Sequence, residues 1–246
     1  MRRTKTLGRV QRKLLRFLFV LLLLTLALYF FAQSSFFNIS QIETKGYSYL
    51  SSAEIKQLAN IPLGMNIFKM DAQKIEKNLL LHPMVKNVKV ARKLPATVVV
   101  SIQERSPAII LSSAQGFFVL DGSGVFLKKI NKISDLKLPV VTGINLPNQY
   151  GPGQTIVNEK LAKALSFISK VPVEQRKTIT ELDINDDEHL VIYIDNGLEI
   201  RMGDETRIPE KMQIVSKITK SSTLLARKID YIDLTAVSTP IIKYSR

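Results

Sequence analysis

Hydrophobic and polar positions divide the chain into a basic start, one long apolar run and an outer region of short patterned segments. The apolar run extends from Phe17 to Ala32, and no acidic residue precedes it. Extended back to Leu14, it is long enough to cross a bilayer as a helix. Because basic residues flank its start, the N-terminus is expected in the cytoplasm. The pattern predicts a retained single-pass anchor, and a signal peptide cleaved near Ala32-Gln33-Ser34 is the alternative. The flanking basic residues are Arg2, Arg3, Lys5, Arg9, Arg12, Lys13 and Arg16.

Behind the anchor, the periodicity predicts a small unit with the order β-α-α-β-β. Its helices have clear starts, because Ser51 and Glu54 form a capping-box pattern and Asp71 is a good N-cap residue. The predicted elements are strands over 37–45, 84–91 and 96–103, with helices after Ser51 and Asp71. Three strands with two helices on one face make a natural two-layer domain.

The second half of the chain is richer in short strands. Ser106-Pro107 is a boundary signal, and Asp195-Asn196-Gly197 is the strongest hairpin signal. Helices are predicted over 158–170 and from Pro209 onward, and the last strands over 229–234 and 241–244. The fold class is therefore α+β, with an N-terminal transmembrane helix, a β-α-α-β-β domain and a larger mixed β domain with two helices.

Composition argues for a binding protein. The chain has 35 basic and 21 acidic residues, and with seven basic residues in the tail the outer region carries only +7. That charge is scattered among acids and there is no Trp, so we expect no nucleic-acid binding. The chain has no Cys, which excludes disulfides and thiolate sites. His189 beside Asp186-Asp187-Glu188 lacks calcium-loop spacing and is expected in a solvated turn. No catalytic, cofactor-binding or metal-binding residue is predicted, and we expect no enzyme.

Four stretches, in this order behind one anchor, resemble the FtsQ/DivIB family of bacterial cell division proteins. They are residues 37–46, residues 64–71 with the Gly-Met-Asn-Ile-Phe sequence, residues 82–95 with 102–107, and Tyr231-Ile232-Asp233-Leu234. The resemblance, which is strongest to FtsQ, implies a cytoplasmic tail over 1–16, a transmembrane helix over 17–36, a POTRA domain over 37–105 and a β domain over 106–246.

The resemblance also implies a function. Members of this family are non-catalytic divisome scaffolds that link early and late division proteins and help control septal peptidoglycan synthesis. They bind FtsB and FtsL through the periplasmic β domain, and FtsK, FtsW, FtsI and FtsN are further expected partners. The expected location is the inner membrane at the division septum, with a cytoplasmic N-terminus and no cofactor. A membrane-anchored POTRA-type assembly or secretion factor is the alternative.

The expected binding site is the C-terminal edge strand, because in the family a strand of FtsB pairs with it. That site maps to Ser238, Thr239, Ile241, Ile242, Lys243 and Tyr244, and an unpaired edge is a template for an added strand. A plain closing strand of the sheet is the simpler interpretation. Some relatives have Arg directly after the Asp-Leu pair, where this chain has Thr235. Lys86, Lys89, Arg92 and Lys93 are a candidate recruitment surface, although a solvated face is as good an interpretation.

Overall fold

The computed structural model describes residues 4–113, 116–133, 136–145, 150–184, 189–221 and 228–245. The chain separates into two compact units, one of residues 1–81 with 85–104 and one of residues 82–84 with 105–246. Each unit has its own sheet.

The first unit begins with a long helix, α1 (Thr4–Ala32), whose residues Gln11–Ala32 are long and apolar enough to cross a membrane. After a 3-10 turn (Ser35–Phe37) come β1 (Gln41–Lys45), α2 (Ser52–Ala59), α3 (Ala72–Leu80), β2 (Val85–Lys93) and β3 (Thr97–Glu104). In the sheet, β3 lies between β1, which is parallel to it, and β2, which is antiparallel. This is the β-α-α-β-β order that the periodicity predicts.

The second unit contains a nine-stranded sheet in the order β12-β11-β10-β9-β8-β7-β4-β5-β6. Its strands are β4 (Pro107–Ser113), β5 (Gly116–Asp121), β6 (Phe126–Ile130), β7 (Val140–Thr142), β8 (Ile179–Ile184), β9 (Leu190–Ile194), β10 (Glu199–Gly203), β11 (Ile229–Asp233) and β12 (Ile241–Tyr244). Its helices are α4 (Glu159–Lys170), the single turn α5 (Val173–Arg176) and α6 (Ile208–Lys220).

The main core of the second unit lies between one face of the sheet and the helices α4 and α6. It includes Phe167 of α4, Met212 of α6 and Ile192 of β9, each almost fully buried. Near β4, β5 and β6 the opposite face is covered by a smaller cluster around Ile110 and Val119. Along β8 to β11, polar and apolar residues alternate, so the face away from the helices is polar.

The predicted fold class is confirmed, and so are the local signals that supported it. Ser51 and Glu54 form the capping box of α2, and the Asp71 side chain accepts from the main chain at the start of α3. The hairpin at Asp195-Asn196-Gly197 connects the antiparallel strands β9 and β10. Strand boundaries differ by one or two residues in several places, and by four at the first strand, which begins at Gln41 and not at Phe37. Phe37 belongs to the 3-10 turn, where its ring packs against other aromatic rings.

Candidate functional site: an open sheet edge

The last strand, β12, is the outermost strand of the large sheet. It pairs antiparallel with β11 alone among the described residues, with Ile242 opposite Ile232 and Ile241 opposite Asp233. The other outermost strand, β6, is partly covered, because Phe126 exchanges main-chain hydrogen bonds with Gln154 (2.9 Å) and Gly153 (2.7 Å). Of the two outer strands, β12 is therefore the more accessible template for an added strand.

The direction of each main-chain group in β12 follows from its neighbours. The Leu234 N–H donates to Arg201 O (2.8 Å), so the even-numbered residues at the end of β11 face β10. Main-chain groups alternate along a strand, so Tyr231 and Asp233 face β12. At the other end of the pair, the Ser245 N–H donates to Lys228 O (2.9 Å). Both observations leave the N–H and C=O of Ile242 directed away from the sheet.

Side chains of β12 alternate in the same way. Ile242 is partly buried and packs against the main core, whereas Ile241 is 56% exposed on the opposite face. Lys243 is also exposed, and Tyr244 is partly buried. An added strand would thus meet an apolar side chain on the helix side and a mixed surface on the other.

Two of the sequence-predicted residues lie outside the strand. Ser238 and Thr239 are exposed residues of the turn before β12, where the Thr239 N–H donates to Ala236 O (3.1 Å). Thr235 follows β11, and its N–H donates to the Asp233 carboxylate (2.9 Å). The structure brings the remaining four residues together on one strand.

The polar sheet face next to this edge was not found from the sequence. Register places Glu181, Tyr193, Glu199, Tyr231 and Lys243 in one row across five strands. The phenol of Tyr193 is partly desolvated and faces Glu199 and Glu181, and these effects raise its pKa. No local motif marks such a row, because its members come from distant parts of the chain.

At the β12 end of this row, two cationic side chains, Arg201 and Lys243, lie over the ring of Tyr231 and form a cationic stack. The Arg201 guanidinium carbon lies 3.8 Å from the centre of the Tyr231 ring, and Lys243 Nζ lies 5.1 Å from the same centre. Arg201 also donates to Glu199 (2.8 Å), and this hydrogen bond raises the pKa of the guanidinium. Beside the stack is a cavity of about 390 Å³ lined in part by Thr235. A guanidinium therefore lies on this face although position 235 is Thr.

The four basic residues of the candidate recruitment surface all belong to β2, but they do not act alike. Arg92 donates to two main-chain carbonyls, Ile67 O (2.9 Å) and Met70 O (2.6 Å), and so holds a neighbouring segment of its own domain. Lys93 lies 3.0 Å from the Glu43 carboxylate. Lys86 and Lys89 are exposed and form no ion pair within the described part of the chain.

Among the described residues, no group of three or more His, Cys, Asp or Glu side chains is placed to hold a metal ion. The Asp186-Asp187-Glu188 sequence beside His189 lies outside the described residues. The arrangement is suited to binding.

An N-terminal helix long enough to span a membrane precedes a β-α-α-β-β unit of the POTRA type and a larger sheet unit with an open edge. Comparison with known families agrees. Residues 37–105 match the model "POTRA domain, FtsQ-type", and residues 108–235 match "Cell division protein FtsQ/DivIB, C-terminal". The chain belongs to the FtsQ/DivIB family of cell division proteins.

Curated relatives are similar over most of their length. DivIB of Clostridium botulinum (strain Hall) is 26% identical over 237 residues, covering 95% of this chain and 91% of that protein. DivIB of Clostridium acetobutylicum is 25% identical, covering 84% and 82%. FtsQ of Syntrophotalea carbinolica is 25% identical, covering 85% and 75%. Among solved structures, the extracytoplasmic domain of Geobacillus stearothermophilus DivIB matches with 16% identity and a TM-score of 0.31, covering 50% of this chain and 93% of that one.

Proposed function

We propose that the protein is a non-catalytic scaffold of the division machinery. It binds its partner by pairing a partner strand with the outer edge of β12. In this proposal α1 is retained in the inner membrane with its N-terminus in the cytoplasm, and both folded units lie in the periplasm at the septum. The β domain binds FtsB together with FtsL, linking early and late division proteins and helping to control septal peptidoglycan synthesis. FtsK, FtsW, FtsI and FtsN are further proposed partners.

The observation that carries the proposal is the outward direction of the Ile242 main chain at an open edge. The N–H and C=O of Ile242 can pair with an added strand without breaking any bond of the protein's own sheet. Strand addition uses main-chain groups for affinity and side chains for specificity. Ile242 and Tyr244 supply the core-side contacts, and Ile241 and Lys243 supply those on the polar face.

The preceding turn supports the same role. Ser238 and Thr239 are exposed beside the open edge, so they would flank the end of an added strand. The short length of β12 and its Lys243 are features that limit uncontrolled edge-to-edge pairing. The edge is thereby suited to a specific partner.

On the POTRA unit, the proposed recruitment surface consists of three exposed lysines of β2, and Arg92 has only an indirect role. Lys86, Lys89 and Lys93 contribute exposed charge along β2, which is itself an outer strand of its sheet. Arg92 contributes indirectly, because its guanidinium is bonded to the carbonyls of residues 67 and 70.

The edge mechanism is tested by recovery of FtsB from detergent-solubilised membranes with tagged full-length protein. Ile242→Pro removes the outward N–H, and we expect recovery to fall about tenfold, since one lost ladder bond costs about 1–1.5 kcal/mol. The matched control is Ile242→Ala, which keeps the N–H and loses only side-chain contact. We expect Tyr244→Glu to reduce recovery as well, through the charge that it introduces.

If Ile242→Pro and Ile242→Ala retain FtsB equally well, the main-chain ladder is not the basis of binding. Hydrogen exchange of β11 in each variant shows whether the protein's own sheet is intact. Depletion separates division scaffolding from the alternative of an envelope assembly or secretion factor. Filamentous cells support the scaffold, and normal septa with defective export support the alternative.

A further inference from the structure

A chain of aromatic rings joins the outer end of α1 to the POTRA unit. The ring of Phe31, in the last turn of the helix, has its centre 5.2 Å from that of Phe37. The Phe37 ring in turn lies 5.1 Å from that of Phe68, which belongs to a 3-10 turn of the domain. Two ring contacts therefore separate Phe68 from the end of the apolar span.

Polar contacts fix this end of the domain to the helix. The last carbonyls of a helix have no partner within it. Here the Asn66 side-chain amide donates to Ala32 O (2.8 Å), and its oxygen accepts from the Phe68 N–H (3.0 Å). Asn66 is 8% exposed, so this is a well-shielded contact. The segment of residues 63–68 is therefore held directly against the end of α1.

Large apolar side chains are exposed at this end of the domain. Leu63 is 65% exposed, Phe68 47% and Phe36 57%. Leu94, in the turn between β2 and β3, is also exposed, and this turn is adjacent because the Ser40 N–H donates to Ala96 O (2.9 Å). Large apolar side chains that are exposed together at one end of a domain indicate an interaction surface.

The position of the patch indicates its occupant. Aromatic side chains are favoured at the headgroup level of a membrane, and Phe31 is at the end of a helix that is long enough to span it. Lys69 is exposed near the patch, where it would attract anionic headgroups.

We propose that Leu63, Phe68, Phe36 and Leu94 form a lipid-contacting surface that seats the POTRA unit in the outer lipid–water interface. This inference rests on the proposed membrane anchoring. The surface differs from the β12 edge and leaves that edge to the protein partner.

The absence of Trp from the chain allows a direct test. Single-Trp variants of the full-length protein are reconstituted in vesicles of phosphatidylethanolamine and phosphatidylglycerol, with or without brominated acyl chains, which quench nearby Trp. Phe68→Trp and Leu63→Trp report the proposed surface, and Leu63 is 65% exposed, which leaves room for the larger side chain. Phe19→Trp reports insertion of the anchor.

The matched control is Tyr49→Trp, an exposed aromatic position of the same domain. The Tyr49 N–H donates to Glu104 at the end of β3, about 23 Å along the strand from Thr97 at 3.3 Å per residue. Thr97 pairs with Gln41, which is near the helix end. Tyr49 is therefore at the far end of the sheet.

We expect brominated lipid to quench Phe68→Trp and Leu63→Trp at least twofold and to leave Tyr49→Trp unchanged. Quenching of Phe19→Trp without quenching of the two surface reporters would overturn the lipid surface and preserve the anchor. A blue-shifted but unquenched Phe68→Trp would mean that protein covers the patch, which also overturns it. Equal quenching at Tyr49 would contradict the proposed orientation. Absence of quenching in Phe19→Trp would refute the membrane anchoring itself.

Discussion

The buried Lys211 offers a quantitative test of how β10 is held beside β11 and β12. Its side chain is 1% exposed, and Nζ donates to Met202 O (2.6 Å), Asp204 O (3.1 Å) and the Asp204 carboxylate (3.0 Å). These bonds connect α6 to the end of β10, which carries β11 and then β12. Lys211→Met preserves the apolar stem and removes all three donors.

The expected loss of stability follows from the carbonyl groups that lose their donor in Lys211→Met. A buried carbonyl without a donor costs about 1–3 kcal/mol, and Met202 is fully buried. Asp204 is 63% exposed and stays hydrated, so it adds little. Removal of a buried ammonium offsets part of the cost. We expect a net loss of about 2 kcal/mol in the local opening free energy, or about 30-fold faster exchange of β10 amides.

Hydrogen–deuterium exchange of the full-length protein in detergent measures this loss, with peptides from β10 and α6 followed separately. Lys217→Met, at an exposed position of the same helix, is the control and should change exchange little. Protection in Lys211→Met equal to or above that of the unmodified protein would refute the reasoning, because burial of the ammonium would then outweigh its hydrogen bonds.

Three further outcomes follow from the described contacts. Arg92→Ala should destabilise the POTRA unit by about 2–3 kcal/mol in urea unfolding, because two carbonyls lose a charged donor, whereas Lys89→Ala should stay within about 0.5 kcal/mol. Gly143→Ala should cost about 3 kcal/mol, because its φ is +75° and the added Cβ would collide with the main-chain oxygen of Ile184. Gly151→Ala, with open space around it, is the control in the same thermal unfolding assay. Finally, a hydrogen bond from a neighbouring hydroxyl and the Lys211 ammonium lower the pKa of Asp204 from 3.8 to about 2. Because this pKa is depressed, the stabilisation is complete above about pH 4 and lost as pH falls toward 2. An acid titration should show a smaller loss in Lys211→Met than in the unmodified protein.

Sequence reasoning succeeded where the signal was local. The capping box at Ser51 and Glu54, the N-cap at Asp71 and the Asn196-Gly197 turn each fix the chain within a few residues. Their outcome depends little on distant parts of the fold, so the helices and hairpins could be predicted.

Features that depend on distant pairing were not predicted. β7 is inserted between β4 and β8 through two parallel pairings, which no local pattern specifies. Arg92 was grouped with three lysines by charge alone, whereas its contacts to residues 67 and 70 require the folded domain. In the candidate site, the sequence indicated a C-terminal strand, but the direction of the Ile242 main chain depends on the pairing of β11 with both of its neighbours.

The amide cap between Asn66 and Ala32 has a mechanical consequence. Helices that are longer than the local hydrocarbon thickness accommodate the mismatch by tilting. The Asn66 side chain is bonded to the final helix carbonyl, and edge-to-face and tilted ring contacts lie beside that bond. These contacts would couple a tilt of the helix to a rotation of the domain. With α1 in the membrane as proposed, a thicker or thinner bilayer would therefore change the orientation of the POTRA unit.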